Sequence, residues 1–127
     1  MASFLWRFRR HWRIVSGVAR RLITVVETPL FGRQAREIWD TSELEAFIDF
    51  IARNPEEGDV IPETGGVRKI RWARPGGGKR GGARVIYFYY SGDRPIYLMM
   101  VYAKARQENL TADEKKAVRK LAAILKS

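Results

Sequence analysis

Residues 84–103 read RVIYFYYSGDRPIYLMMVYA, two runs of strand-forming residues on either side of a turn. β-Branched and aromatic residues dominate both runs, as is typical of β-strands, and residues 91–95 carry the Gly, Asp and Pro that favour turns. The second run is nearly all apolar, so we expect it to lie in the middle of a sheet. This stretch therefore predicts two adjacent strands at the centre of the fold.

Further strands and helices are predicted on both sides of this stretch. Residues 67–74 alternate between two sets of side chains, which predicts a third strand, and residues 23–26 form a β-branched strand near the N-terminus. A short helix is predicted over residues 32–39. A Ser or Thr followed three residues later by Glu predicts the start of each of two longer helices: Ser42 with Glu45, and Thr111 with Glu114.

The order of these elements predicts the fold class. Along the chain it is β-α(α)-β-β-β-α, and strands joined by short connections pair antiparallel. Helices gathered on one face of a small antiparallel sheet form an α+β fold. We therefore expect an α+β domain with a small antiparallel sheet and all helices packed on one face.

Composition excludes several kinds of site. The chain has 127 residues, enough for one domain with a hydrophobic core. It contains no cysteine and a single histidine, His11. A disulfide scaffold, a thiolate zinc site and a thiol nucleophile are thereby excluded, and a Ser–His–Asp triad is close to excluded. We expect neither a metal nor a cofactor, and no apolar run is long enough to span a bilayer.

The net charge of +10 is concentrated in two segments. Residues 1–22 carry six arginines and no acid, and residues 68–84 carry seven lysines and arginines and no acid. The remaining 11 basic residues stand against all 14 acidic residues. Clustered positive charge of this kind indicates a polyanionic partner, such as nucleic acid, a membrane surface or an acidic protein.

Residues 1–22 are predicted to be a basic extension outside the fold. Apolar residues recur there at spacings of three, four and seven, a loose amphipathic helical pattern: Phe4, Phe8, Trp12, Val15 and Leu22. Such a segment can also lie on an anionic membrane or resemble an organelle transit segment, whereas the apolar core of a secretory signal is missing. We expect residues 23–127 to form the domain and to fold without the extension.

A glycine-rich loop, PGGGKRGG at residues 75–82, separates two of the predicted strands. Its spacing is not that of a Walker A motif and no helix follows it, so nucleotide binding is not indicated. Its glycines would let the backbone carry Lys79 and Arg80 to an irregular row of phosphates. A solvated hairpin loop that is merely basic would have the same sequence.

Arginines lie on the predicted strands on both sides of this loop. Arg84 opens the strand after it, and three arginines lie on the strand before it: Arg68, Arg71 and Arg74. Because residues that favour burial follow Arg84, its guanidinium is expected at a sheet edge or in a concave face, where arginine binds phosphate through two hydrogen bonds. Interleaved tyrosines suit single-stranded RNA, whose bases stack, although each tyrosine alone is more typical of a core. Lys104 either extends this basic surface or is the first solvated residue after the last strand.

Several segments together resemble a known family. They are GGVRKIRWA at residues 65–73, GKRGGARVIY at 78–87, IYL at 96–98, VYAK at 101–104 and NLT at 109–111, with NP at 54–55 and GDVI at 58–61 upstream. Over about residues 24–125 the chain is similar to the RelE and HigB toxins of bacterial type II toxin–antitoxin modules, and specifically to the HigB branch that carries a GKRGG loop. The resemblance implies a RelE-like α+β fold.

The resemblance also implies an activity. It implies a metal-independent, ribosome-dependent mRNA endoribonuclease in the bacterial cytoplasm, which inhibits translation and is neutralised by a helix-turn-helix antitoxin. In such an enzyme the RNA 2′-OH attacks the neighbouring phosphate, and cationic side chains stabilise the charge that develops. By motif, Arg84 is assigned to the phosphate, and Lys79 and Lys104 to cation or proton-transfer roles. The residues assigned to RNA binding are Arg68, Arg71, Arg74 and Arg80.

Other functions fit the same sequence features. A ParE-like toxin shares the fold, but it blocks DNA gyrase and is no nuclease. An RNA-binding module would use the same basic surface without catalysis. Cleavage of translated mRNA distinguishes the nuclease from both, and vesicle binding would show whether residues 1–22 anchor the domain to a membrane.

Overall fold

The computed structural model of the protein describes residues 5–15, 19–73 and 82–127. Along this part of the chain the elements are β1 (Arg7–Val15), β2 (Ala19–Glu27), α1 (Pro29–Ile38), α2 (Thr41–Arg53), β3 (Asp59–Val60), β4 (Val67–Trp72), β5 (Ala83–Tyr89), β6 (Ile96–Ala103) and α3 (Ala112–Lys126). The strands form one mixed sheet in the order β1-β2-β6-β5-β4-β3. The predicted α+β class is confirmed.

Strands β5 and β6 pair antiparallel at the centre of the sheet, as the sequence predicts. Their ladder contains a β-bulge, because Ile86 pairs with Met100 and Tyr87 pairs with Leu98, which leaves Met99 as the extra residue. Met99 and Met100 consequently pack in the same hydrophobic cluster, while Leu98 packs in the other. Strand β6 is therefore apolar on both of its faces.

Helices cover both faces of the sheet, so the prediction that they pack on one face is wrong. On what we name the first face, α1 and α2 pack through a core that includes Phe31, Phe47 and Ile51. On the second face, α3 packs through Val118 and Ala122. The physical reason is that β5 and β6 carry apolar side chains in both directions, and each face left in water would cost roughly 25 cal/mol per Å² of apolar surface.

Strand β2 pairs with β6 in parallel, so the prediction of an entirely antiparallel sheet is also wrong. Between these two strands the chain passes through two helices and three strands, and a connection of that length can bring the strand back in either direction. Thr28, directly after β2, ties the pair together. The Thr28 hydroxyl donates to the Leu98 carbonyl oxygen at 2.9 Å. Thr28 Oγ1 also accepts a hydrogen bond from the Phe31 N–H and so caps α1.

Residues 7–15 do not form the helix that their loose amphipathic pattern indicates. Residues 7–15 form β1, which pairs antiparallel with β2 along its whole length and lies at the edge of the sheet. Arg9 of β1 forms an ion pair with Glu27 of β2, whose side chain is only 3% exposed. A loose amphipathic pattern does not by itself stabilise a helix. The β-branched residues 23–26 lie in a strand with which residues 8–11 pair. That residues 23–127 can fold alone stays a prediction.

Only the start of α3 lies where the sequence predicts it, since α1 begins at Pro29 and not at residue 32. Thr111 and Glu114 form the predicted capping box of α3. For α2, however, the N-cap is Asp40 and not Ser42, because the Asp40 carboxylate accepts a hydrogen bond from the Glu43 N–H at 2.8 Å. Asp and Ser are about equally good N-caps, so the Ser-x-x-Glu pattern predicts this start two residues too late. Within the described ranges, no helix has the length and hydrophobicity needed to cross a membrane.

Candidate functional site

Three side chains on adjacent central strands form a row on the second face of the sheet. Arg71 on β4 lies opposite Arg84 on β5, and Arg84 lies opposite Tyr102 on β6. Directly opposite residues project to the same face of a sheet, and Tyr102 belongs to the cluster beneath α3. We name these three residues the cationic row.

The members of the cationic row differ in exposure. Arg84 is 2% exposed and Tyr102 is 6% exposed, whereas Arg71 is open to solvent. Two like charges directly opposite each other on neighbouring strands are unfavourable, and a buried guanidinium must be paired. An anion beside Arg84 reduces both costs.

The structure supplies such an anion from the loop between β6 and α3. Nη2 of Arg84 lies 3.4 Å from each carboxylate oxygen of Glu108. The Glu108 carbonyl oxygen accepts hydrogen bonds from the Tyr102 hydroxyl at 3.2 Å and from Lys69 Nζ at 3.5 Å. Lys69 also donates to Asn109 Oδ1 at 2.9 Å. The loop therefore lies across the cationic row and is held by side chains from three strands.

Tyr102 is a neutral proton donor at this site. Burial raises the pKa of Tyr102 above its ordinary value of 10.0, and the nearby carboxylates of Glu114 and Glu108 raise it further, while Arg84 opposes them. The hydroxyl consequently keeps its proton at neutral pH. It can donate that proton to a developing negative charge, and it is not suited to act as a base.

The structure places the other predicted site residues as follows. Lys104 comes directly after β6 and is exposed, and its N–H donates to the Gly82 carbonyl oxygen at 3.2 Å. This bond lies two positions along the β5–β6 ladder from the cationic row, so the Lys104 backbone is close to Arg84. Three predicted residues lie outside the described part of the chain: Arg74, Lys79 and Arg80.

Arg68 lies on the first face, away from the cationic row. Its Nη1 donates to the carbonyl oxygens of Gly58 at 2.7 Å and Glu56 at 3.1 Å. Its cross-strand neighbour Tyr87 donates to the Pro55 carbonyl oxygen at 2.9 Å and accepts from the Gly58 N–H at 2.8 Å. Arg68 and Tyr87 thus fix the chain between α2 and β3. The assignment of Arg68 to RNA binding stays a prediction.

Tyr87→Phe is expected to lower stability and to change its dependence on alkaline pH. The substitution leaves the Gly58 N–H and the Pro55 carbonyl without this partner, which costs about 1–3 kcal/mol in the free energy of unfolding. Burial raises the pKa of Tyr87 above 10.0. In the wild type the unfolded chain therefore releases this proton at a lower pH than the folded chain does. The free energy of unfolding falls as the pH rises above 10.0.

The variant should lack this part of the alkaline fall. Urea unfolding at neutral pH and at about pH 11 measures both effects. An identical loss of stability between the two pH values in wild type and variant would contradict the pKa shift.

Sequence reasoning does not assign three residues that the structure brings to this site: Lys69, Tyr102 and Glu108. The signal for Lys69 is the alternation along residues 67–74, which places it on the same face as Arg71. Tyr102 has the pattern of a core residue, and it is in fact buried. For Glu108 the sequence gives no signal, because the position of a loop over a sheet depends on tertiary packing.

The arrangement is suited to binding and processing a phosphodiester. Arg71 and Arg84 can share the non-bridging oxygens of one phosphate through charge-assisted hydrogen bonds, and Tyr102 can supply a proton next to them.

A family model described as "RelE toxin of RelE / RelB toxin-antitoxin system" matches residues 23–127. The match includes α1, α2, α3 and the whole cationic row, and it begins after β1.

Proposed function

Because the chain belongs to the RelE toxin family of the RelE/RelB toxin–antitoxin system, we propose that it is a metal-independent, ribosome-dependent mRNA endoribonuclease of the HigB branch. As a toxin of this family it has an antitoxin as partner, and we propose that this antitoxin is a helix-turn-helix protein. The proposed substrate is mRNA under translation in the bacterial cytoplasm. The observation that carries the proposal is the cationic row, two arginines directly opposite each other with a neutral phenol beside them.

The proposed reaction needs no group beyond side chains and the RNA itself. The 2′-OH gives its proton to a base, its oxygen bonds to the adjacent phosphorus, and the bond from phosphorus to the 5′-oxygen breaks. The leaving 5′-oxygen takes up a proton, so the products are a cyclic phosphate and a free 5′-hydroxyl. Negative charge grows on the non-bridging oxygens as the new bond forms.

The residues are assigned to these steps by position and chemistry. Arg84 and Arg71 bind the non-bridging oxygens, and their contacts strengthen as charge builds. Tyr102 donates the proton to the leaving oxygen, and its raised pKa keeps the hydroxyl protonated until that step. Lys79 and Lys104 are the candidates for accepting the proton of the 2′-OH.

Production of the protein without its antitoxin is expected to arrest growth by depleting mRNA. Primer extension on translated transcripts should show new 5′ ends within coding regions, because cleavage requires the ribosome to present the message. The same transcripts with their start codons removed are the control and should stay intact. Intact transcripts together with arrested replication would overturn the nuclease proposal and favour inhibition of gyrase.

A further inference from the structure

The guanidinium that the proposed function assigns to the phosphate is covered in the free protein. Arg84 is 2% exposed, and the loop that carries Glu108 lies across it. An RNA phosphate cannot reach Nη2 of Arg84 while the Glu108 carboxylate stands 3.4 Å from that atom. Either the arginine has a purely structural role, or the carboxylate leaves when RNA binds.

The contact between Arg84 and Glu108 has the features of an exchangeable ion pair. In strong arginine–carboxylate pairs the N···O distances are about 2.7–2.9 Å. Here both oxygens stand 3.4 Å from one nitrogen, and the Glu108 side chain is 49% exposed to solvent. Water screens a half-exposed carboxylate, so its attraction to Arg84 is modest.

Release of the carboxylate does not require the loop to unfold. The loop is fixed through the Glu108 backbone carbonyl, which accepts from Tyr102 and Lys69, and through Asn109 Oδ1, which accepts from Lys69. None of these bonds involves the Glu108 carboxylate. Rotation of this one side chain into solvent therefore removes the carboxylate from Arg84 while the bonds that hold the loop stay intact.

We propose that Glu108 is a placeholder for an RNA phosphate: its carboxylate occupies the anion position beside Arg84 and is exchanged for a phosphodiester when RNA binds. A carboxylate and a phosphodiester both present two acceptor oxygens in a plane, the arrangement that a guanidinium binds. The exposed Arg71 opposite Arg84 gives the phosphate a second partner. This inference rests on the proposed function, since it concerns the same site, and it makes Glu108 a positioning residue that lowers affinity for free RNA.

The test is binding of RNA by the full chain carrying Glu108→Gln. This substitution keeps the backbone bonds of the loop and removes the competing charge. The probe is a short single-stranded RNA with 2′-O-methyl groups, which cannot undergo attack by the 2′-oxygen. We expect the variant to bind it roughly tenfold more tightly than the wild type, with the melting temperature little changed. Glu108→Asp, which shortens the side chain, should give a smaller gain in the same direction.

Asp49→Asn is the matched control. Asp49 is 50% exposed and its carboxylate lies 3.3 Å from Arg53 on α2, so its removal changes net charge equally but away from the cationic row. A gain for Glu108→Gln no larger than that for Asp49→Asn would overturn the inference. So would weaker binding with a lower melting temperature, which is the result expected of a structural ion pair.

A double substitution locates the effect. In an Arg84→Gln background, Glu108→Gln should no longer improve binding, because the competition takes place at Arg84. The outcomes also separate this inference from the proposed function. If Glu108→Gln binds RNA more tightly but translated mRNA is not cleaved, the inference about Glu108 stands and the nuclease proposal is overturned. If the wild type cleaves mRNA but Glu108→Gln binds no more tightly, the nuclease proposal stands and the inference about Glu108 is overturned.

Discussion

Arg84→Ala is expected to lower the rate of mRNA cleavage by about 10²–10³ while the protein stays folded, because one donor to the developing phosphorane charge is lost. Arg84→Lys should lose most of the same activity. Lysine keeps the positive charge, but its ammonium cannot make the planar two-point contact of a guanidinium. Single-turnover cleavage of ribosome-bound mRNA measures the effect, with thermal unfolding as the check on the fold.

Arg119→Ala is the control for this prediction. Arg119 is exposed on α3 and lies outside the cationic row, so its loss removes the same charge without touching the proposed site. If both alanine variants slowed cleavage equally, Arg84 would contribute only to the overall positive charge. Unchanged cleavage by Arg84→Ala would remove it from the site.

A chain that begins at residue 23 is expected to fold and to cleave mRNA, but with its free energy of unfolding lowered by about 3 kcal/mol. Truncation removes Arg9, the ion-pair partner of Glu27, whose side chain is 3% exposed. A buried carboxylate without its cation is unfavourable. Cleavage should persist because the cationic row contains no residue of the extension. Urea unfolding of the full and truncated chains measures the difference.

Glu27→Gln in the truncated chain should recover part of this loss, since a neutral amide needs no counter-charge. Equal stability of the full and truncated chains would show that the Arg9–Glu27 pair contributes nothing. A truncated chain that fails to fold even with Gln at position 27 would show that β1 belongs to the domain.

Local patterns predict the parts of this fold that local physics determines. Strands β4, β5 and β6 and the start of α3 follow from strand formers and a capping box, which act within a few residues. The pairing of β2 with β6 and the position of α3 on the second face depend on which distant segments meet. No spacing within one segment contains that information. Strand β1, in contrast, pairs with the next strand and is missed because its apolar spacing is helical.

The residues of the candidate site likewise divide into those that local patterns predict and those that only tertiary packing brings together. Arg84 and Arg71 are predicted because their segment is dense in arginine, and strand alternation already places Lys69 with Arg71. The contact of Glu108 with Arg84 joins residues 24 positions apart through a loop, and only the folded chain shows it. Arg68 does not lie with Arg84 on the second face, because Arg68 and Arg71 are three residues apart on one strand and project to opposite faces.

The parallel pairing of β2 with β6 has a consequence for synthesis. Thr28, directly after β2, bonds to Leu98 on β6, 70 residues later in the chain. Strand β2 therefore leaves the ribosome long before β6 is made. Contacts of such high sequence separation form late, because the intervening chain must first be ordered. Tyr102 is on β6 itself, and Arg84 is on the strand that pairs with it. Under the proposed function, a growing toxin chain is thus harmless to the ribosome that makes it until its last strand is complete, and an antitoxin already present can meet the enzyme at the moment it becomes active.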